Sequence, residues 1–460
     1  MIRLPRSDRL ALGALGAILV VAAALRFVGL RYWLPYPFLN PDEASIVPRA
    51  WAMTHGGGLD PGWYDYPSLL LNVLAPVQAV ADEPSYVAAR VVAVGIGLGG
   101  VAAAWWLGRR AYGPAAAVAA AAATAVATTH VAYSRMAVTD VLLTLGVTVA
   151  LALALSGRLE WAGVAAGLAA SAKYPGILGL GPVAVAGWGQ WRRLAGAGGL
   201  ALVAFALTSP FVVLHAGAAW DDVSRVQDLA RAGWLGFEDD PATPLAFADR
   251  TWGTLGPAVL VALAGLVIAA RRRTRADLVL GSFALLWIVQ LLPIEAHFDR
   301  YVLPLVPILG ALAGRVPRLL PVALAALVVP LVWSIGDDRD LTRTDTRVAA
   351  VPLLERALPP DAKIAADPST PPLTGVRTVP LELPGPGRPT DPRRDLDRLR
   401  REGVGYVLVT GAVADRVLDA EADYPREARF YRGLDETTTR VLVVRHGGDL
   451  GGPWVALYRL

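Results

Sequence analysis

The chain contains no cysteine. That excludes a disulfide framework, a thiolate metal site and a cysteine nucleophile, and it removes the usual clue to redox compartment. Charge is scarce as well. Asp, Glu, Lys and Arg make up 18% of the residues, against about 25% in soluble domains. The net charge of +4 is small, and no nucleic-acid partner is expected. Lysine is nearly missing from the apolar part, where Lys173 is the sole one between positions 1 and 335. No internal repeat is evident, which argues against a solenoid.

Apolar sequence fills the space that charge leaves, at 55% of the residues. A membrane-spanning helix takes roughly 20 consecutive apolar residues. Arg3, Arg6 and Arg9 precede the first run, 10–25. No small-residue cleavage site follows it, so it reads as a retained first helix with cytoplasmic arginines rather than a signal peptide. Further runs lie near 86–107, 114–133, 138–156, 159–172, 176–190, 194–214, 253–270, 277–293, 302–315 and 318–335. The pattern predicts about 11 spans.

Charge asymmetry tests that count, because Lys and Arg gather in short cytoplasmic loops. Alternate loops hold Arg109-Arg110, Arg158, Arg192-Arg193, Arg271-Arg272-Arg273 with Arg275, and Arg315 with Arg318. The intervening loops hold Asp42-Glu43, Asp60, Asp65, Asp82-Glu83, Asp221-Asp222, Glu238-Asp239-Asp240, Glu295 and Asp299. One slip in the helix count would break this alternation. The expected topology is multi-pass in the plasma membrane, with the N-terminus in the cytoplasm and the C-terminus outside.

Two external loops are long, about 31–85 and 215–252. The first predicts a short interfacial helix over 43–53, and the second an amphipathic helix over 220–232. Beyond position 336 the composition turns to Arg, Asp and Pro. Strands are predicted at 404–409 and 439–444, with further strands at 430–431 and 455–458 and a Pro/Gly-rich linker at 380–392. The expected fold is mainly α: a polytopic helix bundle over 1–335, whose first external loop is 31–85, followed by a small extracytoplasmic α/β domain over 336–460.

Candidate chemistry sits where charge is expensive. Asp42-Glu43 places two carboxylates at the membrane surface, where one can deprotonate a hydroxyl; the plain alternative is an Asp N-cap followed by a helix-starting Glu. Arg135 is a cation on the face where cations are rare, suited to a two-pronged grip on phosphate; its alternative is a structural pair with Asp140. Lys173 ends a short helix before Pro175-Gly176, either snorkelling to the interface or holding an anion. Arg300, aided by His297, offers a second phosphate contact, with Tyr301 as a plain interfacial anchor otherwise. Tyr64, Asp65 and Tyr66 either line an acceptor pocket or are interface aromatics.

The set Pro41-Asp42-Glu43, Tyr66-Pro67, Tyr133-Ser134-Arg135 with Thr139-Asp140, Lys173-Tyr174-Pro175-Gly176, and Arg300-Tyr301 with Pro304 and Pro307 resembles the GT-C membrane glycosyltransferases. The likeness is to the branch of protein O-mannosyltransferases and lipid A aminoarabinose transferases, over about residues 8–335. It implies a polyprenyl-phosphate sugar donor and inverting transfer to an acceptor hydroxyl at the outer face. Asp42 would be the base and Glu43 the second acid, supporting the acceptor or the donor sugar. Arg135 would hold the donor phosphate, with Lys173, Arg300 and His297 in support; Tyr66, Asp65 and Asp140 would line the substrate pocket. No cofactor is implied. Some GT-C enzymes hold a divalent metal on acidic loops, for which Asp42, Asp140 and Asp221-Asp222 are the oxygen donors at hand; a metal-free site is expected. The chain departs from its relatives at Tyr66, where they often carry a basic residue. The acceptor is a lipid, a glycan or a protein, and the sugar is not specified. The readings from other classes are a transporter or flippase for a lipid-linked or anionic substrate, which repeated halves and midplane charges would favour, and a scaffold in which Asp42 and Arg135 are dispensable.

Overall fold

Apolar runs fold as helices because a helix satisfies its own backbone polar groups where no water can. The computed structural model describes residues 6–37 and 39–460. Arg3 and the side chains of Arg6 and Arg9 lie outside the described residues, as does the expectation placed on them. The first half of the chain builds α1 Arg6–Phe27, α2 Pro41–Ala52, α3 Leu69–Gln78, α4 Tyr86–Ala111, α5 Pro114–Val126, α6 Thr128–Tyr133, α7 Thr139–Leu155 and α8 Leu159–Ala172. A 3-10 turn at Tyr174–Gly179 leads into α9 Leu180–Ala186, α10 Trp191–Thr208, α11 Pro210–Leu214 and α12 Ala216–Ala232. Then come α13 Thr243–Leu255, α14 Ala258–Arg272, α15 Arg275–Leu291, a 3-10 turn at Asp299–Leu305, α16 Val306–Ala313, α17 Leu320–Ala326 and α18 Val328–Asp340.

By length and composition, three stretches among the described residues suffice to cross a membrane: Leu10–Phe27, Tyr86–Ala111 and Pro317–Asp340. A fourth counts if α13 and α14, bent by 116°, form one broken span. The expected count of about 11 therefore includes helices too short or too broken for that test, such as α5 and α7. Proline explains part of the breakage. It removes a donor and clashes with the preceding turn, and Pro175, Pro210 and Pro257 all stand at such breaks. Leucines, isoleucines and valines of α10, α14, α15 and α18 are exposed outward, among them Leu202, Leu207, Leu260, Ile288, Val328 and Val332. That is how helices are dressed when lipid is the solvent.

Packing inside the bundle relies on small residues. Gly163 and Gly167 form a one-turn ladder on α8, facing Ala197 and Ala201 of α10. A methyl group on either glycine would run into the Ala197 or Ala201 carbonyl. The backbones therefore approach as close as the small-xxx-small pattern permits. On its other side α8 packs against α7, and α4 packs between α5 and α7.

The two ends of the bundle differ chemically. At one end Asp277 accepts from the Tyr112 hydroxyl (2.8 Å) and from Arg315, and Arg193 grips Glu160 at 2.7 Å. The other end carries the acidic loops described below.

Residues past α18 fold around a sheet. The elements are β1 Thr344–Asp345, α19 Thr346–Ala357, β2 Lys363–Ala366, β3 Arg377–Pro380, α20 Leu396–Arg401, β4 Tyr406–Thr410, α21 Gly411–Asp419, α22 Pro425–Thr437, β5 Thr439–Val444, β6 Leu450–Gly451 and β7 Val455–Arg459. Five strands pair in the order β3-β2-β4-β7-β5, with β2 parallel to β3 and β4, and β7 antiparallel to β4 and β5. Phe430-Tyr431 is helical, not a strand. The buried residues Ala428, Tyr431 and Leu434 recur at helical spacing, a signal that two aromatics alone do not carry. This unit docks on both long loops. Arg347 lies 3.8 Å over the Trp33 ring, the Tyr424 hydroxyl donates to Glu238 at 2.6 Å, and Leu235 is buried in the unit's core.

Gly167→Val is expected to destabilise the bundle by about 1–3 kcal/mol through overpacking. A lower thermal midpoint of the detergent-purified protein, set against Gly199→Val on an open helix face, checks this.

Candidate active site

The first acidic pair is built by a helix start. Asn40 caps α2, its side chain accepting from the Asp42 amide at 2.9 Å, and Pro41 follows at the first helical position. Asn40 is therefore the N-cap, and the Asp42 carboxylate is left for other contacts. Its Oδ2 accepts from the Tyr66 hydroxyl at 2.9 Å and from Arg300 Nη1 at 2.8 Å. Successive helical residues point about 100° apart, so Glu43 faces the bundle instead. There Arg90 of α4 donates to both its oxygens, at 2.8 and 2.7 Å, and the Ala137 amide adds a third bond at 3.1 Å. Both side chains of this pair are fully buried. Arg90 also donates to the Leu30 and Tyr32 carbonyls.

A second ion pair stands beside the first. Lys173 Nζ lies 2.6 Å from Asp140 Oδ1. Two tyrosines link the pairs: the ammonium sits 5.5 Å over the Tyr66 ring and 5.4 Å over the Tyr301 ring, and the Arg300 guanidinium lies 5.9 Å from Tyr301. Such placements over aromatic faces are attractive in themselves. Asp299, next to Arg300, accepts from the Tyr133 hydroxyl at 3.0 Å and from the Arg300 amide at 2.8 Å. Four remote segments thus meet: the start of α2 with the first loop, the α6–α7 turn, the end of α8, and the turn at Asp299–Leu305.

Burial shifts the Tyr66 hydroxyl and the Asp299 carboxyl of this cluster. It pushes the Tyr66 hydroxyl well above its usual range, and the neighbouring Asp42 charge adds to the rise. Tyr66 therefore stays a donor to Asp42. Burial also raises the Asp299 carboxyl, against the opposing pull of the Tyr133 and Arg300 contacts. Each cation of the cluster is already engaged by a carboxylate, Arg300 by Asp42 and Lys173 by Asp140. Even so, the buried Arg300 Nε, Asp140 Oδ2 and Thr139 hydroxyl have no hydrogen-bond partner among the described residues. Such orphans are rare in native structures and mark places where a polar partner fits.

The remaining sequence candidates serve elsewhere. Arg135 meets Asp338 of α18 at 2.7 Å and the Val131 and Val28 carbonyls, with none of its contacts in the cluster. The plain pairing of Arg135 with Asp140 does not form, since Asp140 takes Lys173. His297 is buried between Asp240 at 3.1 Å and the Thr243 hydroxyl at 3.2 Å, in a network that Arg250 completes from Asp240. Asp65 pairs with Arg225 of α12, and burial raises its carboxyl despite that cation. The Tyr64 amide donates to Asp222 at 2.9 Å, and the Tyr174 hydroxyl to the Tyr64 carbonyl at 2.8 Å. Asp65 thus ties the first loop to the second.

Arg90 and Asp338 escaped the sequence reading. Arg90 carried a usable signal, as a lone cation inside a predicted span; Asp338 lies past the last apolar run and carried none. No group of three or more His, Asp or Glu side chains among the described residues is arranged to hold a metal ion. Asp42, Asp140 and Asp222 each spend an oxygen on a protein donor, which is Arg300, Lys173 and the Tyr64 amide in turn.

Residues 63–294 match the family model described as glycosyltransferase family 87. No curated protein matches the chain. Among solved structures, ArnT from Cupriavidus metallidurans in the apo state aligns over 97% of this chain and 98% of its own, at 16% identity and a TM-score of 0.59. The same enzyme bound to undecaprenyl phosphate aligns over 98% of each chain, at 16% identity and a TM-score of 0.60. The oligosaccharyltransferase AglB from Archaeoglobus fulgidus, in complex with an inhibitory peptide and a dolichol-phosphate, aligns over 93% of this chain and 71% of its own, at 12% identity and a TM-score of 0.57. At these identities the likeness is one of fold.

Glu43→Gln strips the charge that balances buried Arg90 and is expected to cost about 3–5 kcal/mol of stability. Thermal unfolding in detergent measures it; Glu43→Met combined with Arg90→Met, which removes both charges, is expected to lose less.

Proposed function

The chain belongs to glycosyltransferase family 87, among the GT-C membrane glycosyltransferases, and we propose that it transfers a sugar from a polyprenyl-phosphate donor to an acceptor hydroxyl at the extracytoplasmic face. The convergence of Asp42, Asp140, Lys173 and Arg300 from four distant segments carries this reading. The lipid phosphates bound by the ArnT and AglB structures support the donor class. The reading takes about 11 spans, a cytoplasmic N-terminus, and the α/β unit of residues 336–460 outside the membrane.

In the proposed step the acceptor oxygen attacks the sugar C1 from the face opposite the phosphate. The new C–O bond forms as the C1–O bond to phosphate breaks, which inverts the anomeric centre. Asp42 takes the acceptor proton, and the bond electrons leave with the polyprenyl phosphate. Arg300 and Lys173 stabilise that growing charge; positioned cations are usually the largest single contribution to such catalysis. Tyr66 holds the Asp42 carboxylate in place. Glu43 acts through position: its pair with Arg90 sets the direction of α2 and hence of Asp42. Arg135 with Asp338, and His297 with Asp240, brace the same end of the bundle in this reading. No metal enters the step, and the acceptor is a lipid, glycan or protein hydroxyl.

Transfer of radiolabelled sugar from defined polyprenyl-phosphate donors by the purified protein tests the proposal. Asp42→Asn is expected to lower the rate about 100- to 10,000-fold, the usual contribution of a general base. Equal rates for wild type and variant would refute Asp42 as the base, and inactivity with every donor would refute the donor class.

A further inference from the structure

A carboxylate oxygen already bonded to a cation is not free to take a proton from an acceptor. Asp42 is in that position: Arg300 binds its Oδ2 at 2.8 Å, and Tyr66 donates to the same oxygen at 2.9 Å. Arg300 is the group that a donor phosphate would call on. The second pair repeats the arrangement, since Lys173 is bound to Asp140 at 2.6 Å. An anionic lipid headgroup entering here meets cations already taken by carboxylates. It binds by exchange.

The geometry points to a latch in which the donor's phosphate displaces the two carboxylates from Arg300 and Lys173 and so releases Asp42 to act on the acceptor. The latch rests on the donor reading given above and adds an order to it: donor first, then acceptor. Three observations support exchange over simple addition. Arg300 and Lys173 are each already paired, with Asp42 and Asp140, so a phosphate gains either cation in full only by displacing a carboxylate. Arg300 Nε and Asp140 Oδ2 are buried without partners among the described residues, one left to donate to a phosphate oxygen and the other to accept from a sugar hydroxyl. Tyr66 and Tyr301 offer their ring faces to Lys173 at 5.5 and 5.4 Å, so the ammonium stays attached to the site while it changes partner. When Arg300 leaves, the Tyr66 hydroxyl remains on Asp42 as a positioning contact. The acceptor then meets an oriented carboxylate that no longer has a cation on it. Without donor the base stays paired, which suppresses deprotonation of water or acceptor before a sugar is in place.

The latch makes a prediction of opposite sign from a plain base. Removing the competing carboxylate should tighten donor-lipid binding while it abolishes transfer. Full-length protein in nanodiscs is titrated with undecaprenyl phosphate and, separately, with undecaprenol, which lacks the phosphate. Asp42→Asn and Asp140→Asn are each expected to bind undecaprenyl phosphate about fivefold more tightly than wild type, the scale of one partly exposed ion pair. Neither should change undecaprenol binding. In an Arg300→Gln background the gain from Asp42→Asn should vanish. Size-exclusion profiles and thermal midpoints confirm folding, and Asp42→Ser replaces Asp42→Asn if the latter misfolds. Unchanged or weaker phosphate binding by the Asp42 and Asp140 variants, beside clear binding by wild type, overturns the latch and leaves the donor reading standing. A wild type that binds undecaprenyl phosphate no better than undecaprenol overturns the donor reading, and the latch with it.

Discussion

Asp42 points where it does because Glu43 is held by Arg90. The two acids are neighbours on one helix, and the inner one is fastened by a buried two-pronged ion pair and a backbone amide. Two charges inside apolar surroundings are tolerable only as partners, since either alone carries a desolvation cost of several kcal/mol, roughly. The orientation of α2 is therefore enforced by the penalty for misplacing it. Arg90 extends the constraint to the chain entering the first loop through the Leu30 and Tyr32 carbonyls. Every later contact of Asp42 presumes this anchorage.

The same physics recurs around the bundle. Arg135 with Asp338, Lys173 with Asp140, and Arg300 with Asp42 are all pairs between distant segments. Each of these three cations finds a carboxylate from another segment, as low dielectric demands. The pairs differ in what surrounds them. Glu43 and Arg90 are fully buried and tied to the Ala137 amide and the Leu30 and Tyr32 carbonyls. The pairs of Asp42 and Asp140 sit among tyrosines, with buried donor and acceptor atoms left over. Fully satisfied charges hold a fold together; charges with spare valence are fit for a ligand.

Loops that would otherwise wander are fastened by the same means. The first loop is tied to α12 through Asp65 and Arg225, and to the turn after α8 through Tyr174. The second is held by Asp240, Arg250 and His297. The α/β unit closes over both through Trp33, Leu235 and Glu238. The cluster at Asp42 thus has a rigid floor of helices and a roof of braced loops, which suits chemistry that depends on position.

Much was legible in the sequence alone. Apolar runs placed the helices, since burying or facing lipid with such runs leaves the backbone no alternative. Glu43 to Met53 read as a short helix and Trp220 to Ala232 as an amphipathic one, and α2 and α12 form there, because such periodicity is local. Charge scarcity picked out Asp42, Lys173 and Arg300, since a charge near lipid demands a reason. Span length was less legible: prolines and glycines break several helices at points where hydropathy runs on. Partnership was not legible at all. Nothing in the order of residues says that Arg135 meets Asp338 rather than Asp140, or that Glu43 is sealed by Arg90. Composition and local period determined which residues are helical and which charges are unusual. Only the tertiary structure decided which charges touch, because pairing across hundreds of residues depends on how helices pack, and packing is set by side-chain shape on all of them at once.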